Sequence, residues 1–126
     1  MSAQAQPAAT IKKAFGNPDE TRTISRGKVE VVNLGSIQAM RATFEPGWKW
    51  SESVKPIAGT NSCQVAHMGY QVSGRMIVKM DDGSEHEFRP GDAGIIPPGH
   101  DAWVVGDEPV VFIDFQGAAG YAKPQG

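Results

Sequence analysis

From Thr21 onward, apolar and polar residues alternate over short runs separated by turn residues, the pattern of half-buried β-strands rather than helices. Thr21–Ser25 and Lys28–Leu34 (KVEVVNL) are the first two predicted strands. In Ile37–Phe44 the alternation puts Gln38, Met40, Ala42 and Phe44 on one face and Arg41 and Thr43 on the other. Pro46-Gly47 ends that run, because proline cannot donate to a ladder. A looser segment, Trp48–Asn61, leads into Ser62–Val72 (SCQVAHMGYQV), which the pattern predicts as a strand bent at Gly69. Arg75–Met80 and His86–Arg89 flank Asp82-Gly83, expected to form a two-residue hairpin turn of primed geometry. Ala93–Ile96, Ala102–Val105 and Val110–Phe115 complete a set of about ten short strands. No window carries a capped helical period, and Ala9–Phe15 is the one helical candidate. The fold class expected is all-β.

Composition narrows this picture. At 126 residues the chain is of single-domain size, with residues 1–10, rich in Ala, Gln, Ser and Pro, expected to be a flexible arm and residues 11–126 the domain. Fifteen glycines and nine prolines are spread along the chain, so turns are frequent and elements short. Twelve basic against fourteen acidic residues give a net charge of −2, which offers no positive field for a phosphate backbone, and nucleic acid is not an expected partner. No apolar stretch approaches the length of a membrane span, and the opening MSAQAQPAAT lacks the apolar run of a secretory signal. With a single cysteine, Cys63, the expectation is a cytoplasmic protein without disulfides.

The turn residues carry more than their number. Gly69–Gly99, GYQVSGRMIVKMDDGSEHEFRPGDAGIIPPG, places Tyr70 to Gly74, Asp81 to Gly83, Pro90 to Asp92 and Pro97 to Gly99 in a fixed order. With Pro46-Gly47 before them, this order resembles the central region of the cupins over residues 37–115. The resemblance implies a small jelly-roll barrel, in agreement with the strand count. It also implies a homodimer, with barrels paired face to face or with an N-terminal strand exchanged, for which Thr21–Leu34 is the candidate, and one transition-metal ion held by an H-x-H pair, a Glu and a second-motif His.

That ligand set does not carry over. Counted back from Tyr70, the Glu position is His67 and the H-x-H positions are Asn61 and Cys63. Counted forward from Pro46-Gly47, the pair would be Ser53 and Lys55. The second-motif position is Ala102, with His100 the nearby imidazole. The barrel has therefore lost its metal or built a different site.

Cys63, His67 and His100 are the candidates for a different site. On a continuous strand Cys63 and His67, four residues apart, point to one face, and His100 shares parity with Ala102 near the cavity mouth. A thiolate and two imidazoles hold a divalent ion such as Zn, Fe, Ni or Mn with one position open. The alternative is a buried apolar cysteine beside a hydrogen-bonded histidine. Trp48 and Trp50 share a face of an extended segment, as core or as an aromatic wall of a pocket, and Gln71 has the parity of His67 and is expected in the cavity. Trp103 faces outward and His86 is exposed in the hairpin. Asp114 is a carboxylate inside the apolar strand VVFIDF, read as an edge charge or a partner for Arg41.

These residues leave three functional readings. One is a small-molecule-binding cupin-fold protein with an altered or lost metal site and no demonstrated catalytic apparatus. Another is a metal-dependent enzyme of dioxygenase or isomerase type that uses Cys63, His67 and His100. The third is an interaction domain whose cavity is filled by Trp and Met side chains.

Overall fold

The computed structural model describes residues 9–124, and most of the expected arm lies outside them. Nine strands form among these residues: β1 Glu20–Ile24, β2 Gly27–Leu34, β3 Ile37–Phe44, β4 His67–Ser73, β5 Arg75–Met80, β6 Glu85–Phe88, β7 Ala93–Ile96, β8 His100–Val105 and β9 Val110–Asp114. They make a six-stranded sheet in the order β1-β2-β3-β9-β4-β7 and a three-stranded sheet in the order β6-β5-β8. All pairings are antiparallel. Alternation in β3 follows the sequence pattern: Met40, Ala42 and Phe44 are buried, and Arg41 faces away to meet Glu30, its register partner on β2, at 2.9 Å. The Thr21–Leu34 segment lies within this sheet, β2 paired with β3 and β1 at the edge. Apolar side chains from both sheets meet between them, so the core is the space inside the barrel.

Four expectations are corrected. Ala9–Phe15 is not helical; the helices lie instead in the segment read as loose, α1 at Trp50–Ser53 and α2 at Lys55–Ala58. Each is four residues long, too short for a helical period to register in the sequence. Ser62–Val72 is not one strand, because β4 begins only at His67 and Cys63 stands outside it in an isolated bridge to His100. The β4–β9 register stays regular through Gly69 and shifts between Gln71 and Ser73, so the irregularity is there and not at the glycine. The β5–β6 hairpin is not a two-residue primed turn. Gly83 N–H donates to the Met80 carbonyl and Met80 N–H to the Ser84 carbonyl, and Gly83 alone in that turn has positive φ, 91°. This is the longer hairpin with a left-handed glycine, which spares Asp82 the strained conformation that a primed turn imposes.

Two tethers position the ends of the chain segments around the barrel. Val104 N–H donates to the Trp48 carbonyl at 3.0 Å and Ser51 N–H to Asp101 Oδ1 at 3.1 Å, which holds the Trp48–Ser53 segment against β8. The buried Arg22 on β1 donates to the carbonyls of Ala118 and Tyr121 at 2.6 and 2.8 Å and brings the C-terminal segment back over the sheet. Among the described residues no helix is long and apolar enough to cross a membrane.

Candidate metal centre

Cys63, His67 and His100 converge in the barrel interior. One ligand atom from each lies within 4.8 Å of the others, and all three residues are buried. Two local features bring this about. Cys63 is locked opposite His100 by backbone bonds, its N–H donating to the His100 carbonyl at 2.7 Å and its carbonyl accepting from Gly99 N–H at 2.7 Å. His67 opens β4, which points its side chain inward between the sheets.

The remaining ring nitrogens decide the chemistry. His67 Nδ1 lies 2.5 Å from Asp114 Oδ2. His100 Nδ1 lies 2.8 Å from the Pro97 carbonyl. A carbonyl or carboxylate oxygen only accepts, so each Nδ1 carries a proton, and the nitrogen left to offer a lone pair to a metal is Nε2. His67 Nε2 faces Cys63 Sγ at 3.8 Å. A histidine whose outer N–H is tied to a carboxylate or backbone carbonyl, with the other nitrogen free, is the arrangement in which imidazole binds a metal.

Electrostatics act on Asp114 and on His100. Burial works against a charged Asp114, but the bond to His67 and the backbone N–H groups of Gln116 and Gly117 hold its carboxyl below the ordinary range. His100 is held down to about 4 from the ordinary 6.5, first by burial and then by His67, against the weaker pull of the Pro97 carbonyl and the charges of Asp101 and Asp81. Its imidazole is thus neutral and available to a metal across the neutral range. The unfolded chain takes up a proton on this ring before the folded chain does as pH falls. Metal-free protein is therefore expected to lose stability from about pH 6.5 down to about 4, seen as a falling urea midpoint. A midpoint that stays level through this window would contradict a neutral buried His100.

The space that His67 and His100 line is small, and Cys63 is not part of its wall. Its volume is about 30 Å³, and its wall includes Met40, Phe44, Trp48, Trp50, His67, His100 and Tyr121. Pockets for drug-sized ligands run to roughly 300–1,000 Å³, so this one admits only a few atoms. Trp48 stacks on Phe44 with ring centroids 3.7 Å apart, and Tyr121 meets His67 edge-on at 5.3 Å. Burial, with the nearby Cys63 and Asp114 charges, raises the Tyr121 phenol well above its ordinary value, so it stays neutral. A larger open groove of about 590 Å³ includes Asp81, Asp82 and the exposed His86, and Val78 and Ile96 line both spaces.

Of the residues singled out in the sequence, Trp48, Trp50, His67 and His100 line the cavity, with His100 deep in the wall rather than at a mouth. Trp48 and Trp50 reach it from an irregular position and a helix start, not from one extended run. Gln71 is fully buried but is not in the cavity wall; its Nε2 donates to the Gly74 carbonyl. Trp103 is half-buried with Lys49 Nζ over its ring at 5.4 Å. Asp114 is neither an edge charge nor the partner of Arg41: β9 lies between β3 and β4, and the carboxylate serves His67. A charge in an apolar strand was the signal for it. Tyr121 had no such signal.

No family model matches the sequence, and no curated protein does. Solved structures do resemble this one. A Rhizobium leguminosarum protein of unknown function aligns with TM-score 0.63 at 19% identity over 92% of this chain and 98% of its own. KdgF from Halomonas sp. aligns with TM-score 0.55 at 20% identity over 78% of this chain and 86% of its own. Lactobacillus farciminis oxalate decarboxylase, in a formate complex, aligns with TM-score 0.58 at 21% identity over 78% of this chain. This is the cupin fold. The likeness extends to 30% of the oxalate decarboxylase chain, so the present chain corresponds to part of that enzyme's length. Within the cupin barrel, Cys63, His67 and His100 occupy the inside, where the two sheets face each other.

Proposed function

We propose that this cupin barrel holds one divalent transition-metal ion on Cys63 Sγ, His67 Nε2 and His100 Nε2, with a further position open to the small cavity. The observation that carries this reading is the paired orientation of the imidazoles. Both Nδ1 atoms are committed to acceptors, and His67 Nε2 faces the Cys63 sulfur. A hydrogen-bonded core would need no such arrangement. The donor set suits Zn or Fe better than Mn, because a thiolate is a soft ligand and Mn favours oxygen.

Each part of the site has a task in this reading. Asp114 orients His67 and raises its basicity, the Pro97 carbonyl does the same for His100, and the bridge to β8 presents Cys63. Phe44, Trp48, Trp50 and Met40 keep bulk water out, which strengthens charge interactions inside. A bound ion would supply Lewis acidity to a ligand in the open position. The reading therefore covers a metal-dependent enzyme acting on a ligand of a few atoms, and the cavity volume argues against a larger organic molecule.

Elemental analysis of purified protein is expected to give about one Zn or Fe per chain, with cobalt substitution producing a thiolate-to-metal charge-transfer band. Cys63→Ser, His67→Ala and His100→Ala should each abolish stoichiometric binding. Metal at 100 times its Kd should stabilise the wild type by about 2.7 kcal/mol and leave the variants unmoved. A protein that stays metal-free after exposure to Zn, Fe(II) and Co, with unchanged melting, would sink the proposal. That result would favour a barrel filled by Trp48, Trp50, Met40 and Met76 side chains, all of which line the interior.

A further inference from the structure

The outer face of the six-stranded sheet changes character halfway across. On β2 and β3 it is polar: Lys28 lies beside Thr43 and Glu30 beside Arg41, the last two joined at 2.9 Å. This is the face that an antiparallel sheet ordinarily turns to water. On β9, β4 and β7 the outer face is apolar. Along β4, His67 and Gln71 are buried, and the residues that point the other way before the bulge are Met68, Tyr70 and Val72. Met68 pairs with Ile95 on β7 and its carbonyl accepts from Phe115 N–H, while Tyr70 lies between Ala93 and Ile113. No outward position on these three strands is charged.

Met68, Tyr70, Val72, Ile95 and Phe115 are 46 to 70% exposed. At about half of the roughly 150–200 Å² that a large apolar side chain can bury, the five offer on the order of 400–500 Å². A stable interface takes about 800 Å² from each partner, of which about 60% is apolar, roughly 480 Å². The face therefore supplies the apolar core of one interface, at the upper end of what a monomer leaves bare. Residues 1–8 and 125–126, outside the described structure, carry one large apolar side chain, Met1, which is too little to cover it.

We propose that this face packs against the same face of a second copy of the chain, giving a two-fold dimer joined sheet to sheet. A two-fold axis sets a patch against itself, so a charge within it would meet its like or be buried unpaired, and a patch without charge suits its own copy. An open groove of about 440 Å³ among Met68, Tyr70, Ile95 and Phe115 leaves room for the partner's side chains to interdigitate. Thr21–Leu34 lies at the other end of the sheet, where β1 and β2 pair within the chain, so this dimer exchanges no strand. His67 and Asp114 are on the inner side of the covered strands, and their site stays within each copy.

Gel filtration with light scattering on the full chain, without added metal, tests the assembly. Wild type is expected at twice the chain mass from micromolar concentration upward, and still so in about 1 M salt, which screens charge but leaves apolar contact intact. Ile95→Asp and Met68→Asp each bring two like charges into the interface. Each is expected to raise the dimer dissociation constant about 100-fold or more with circular dichroism unchanged. Ile95 is 70% exposed, so the change is tolerated within one copy, and either variant carries the test if the other fails to fold. Thr23→Asp, at an exposed position on the edge strand β1, is expected to leave the dimer as it is. Wild type that runs as a monomer overturns the proposal, whether or not it binds vesicles of anionic phospholipid. A dimer that dissociates in salt, or that neither apolar-face variant weakens, uses another surface and overturns it as well.

Discussion

Asp114→Asn is expected to lower metal affinity at least 10- to 100-fold while the barrel stays folded, a range typical of lost partners behind metal-bound histidines. The argument rests on which oxygen does what. Asp114 Oδ1 accepts the backbone N–H groups of Met68, Gln116 and Gly117 at 3.3, 2.8 and 3.0 Å, and Oδ2 accepts from His67 Nδ1. Asparagine retains Oδ1 for the three backbone donors and so turns its amide nitrogen toward His67. Two donors cannot face each other, so the imidazole moves its proton to Nε2, the nitrogen that faces Cys63. Flipping the amide to avoid this would set an N–H group against three backbone donors. The tautomer therefore yields first, and the ring loses its lone pair toward the metal. Zn or Co titration measures the loss, and circular dichroism of the metal-free variant checks the fold. Wild-type affinity in this variant would show that Asp114 does not orient the ring.

Gly69→Ala is expected to destabilise the protein by more than about 3 kcal/mol, a large share of the roughly 5–15 kcal/mol that holds a domain together. Gly69 sits in β4 with strands on both sides, paired to Asp114 on β9 and to Gly94 on β7. A Cβ there would lie 1.9 Å from the Ile113 carbonyl oxygen and 2.7 Å from Phe112 Cε2. The nearer obstacle is backbone, which cannot rotate out of the way, so relief requires the β4–β9 pair to separate. Such overpacking costs more than the usual 1–3 kcal/mol of a crowded side chain, because ladder bonds are lost with it. His67 is two residues away on the same strand and Asp114 is directly across, so the metal site loosens as well. Denaturant unfolding gives the stability change, and metal titration of whatever folded protein remains gives the second readout. A change below about 1 kcal/mol would mean that the two strands slide apart freely.

Much of the architecture was legible residue by residue. Alternation in Ile37–Phe44 gave the buried face of β3, and the breaks at Pro46-Gly47 and Pro97-Pro98-Gly99 fall between the observed elements, while at Ser73-Gly74 only Gly74 does, Ser73 being the last residue of β4. These are local signals: a pleated strand alternates every residue, and proline and glycine restrict or free the backbone wherever they stand. The short helices α1 and α2 were not legible, since four residues hold little more than one turn and their stability comes from packing Trp50 and Val54 into the core. The hairpin at Asp82-Gly83 was located correctly but given the wrong turn type, because Gly83 alone supplies the positive φ.

For the candidate site the division is sharper. The sequence by itself determined the donors: one cysteine and two histidines placed among residues that fold into a barrel, with an anomalous carboxylate in an apolar strand. It also placed His100 and Ala102 on one inward face, as the structure has them. Only the tertiary structure decided that the donors meet. Cys63 and His67 converge not because they alternate along one strand, since Cys63 lies outside β4, but because the bridge to His100 folds the chain back at that point. Asp114 reaches His67 through the pairing of β4 with β9, 47 positions apart in the chain. Periodicity reports the direction of a side chain relative to its own strand. Which strands lie side by side, and so which side chains share a cavity, depends on burial and pairing between segments far apart in the chain.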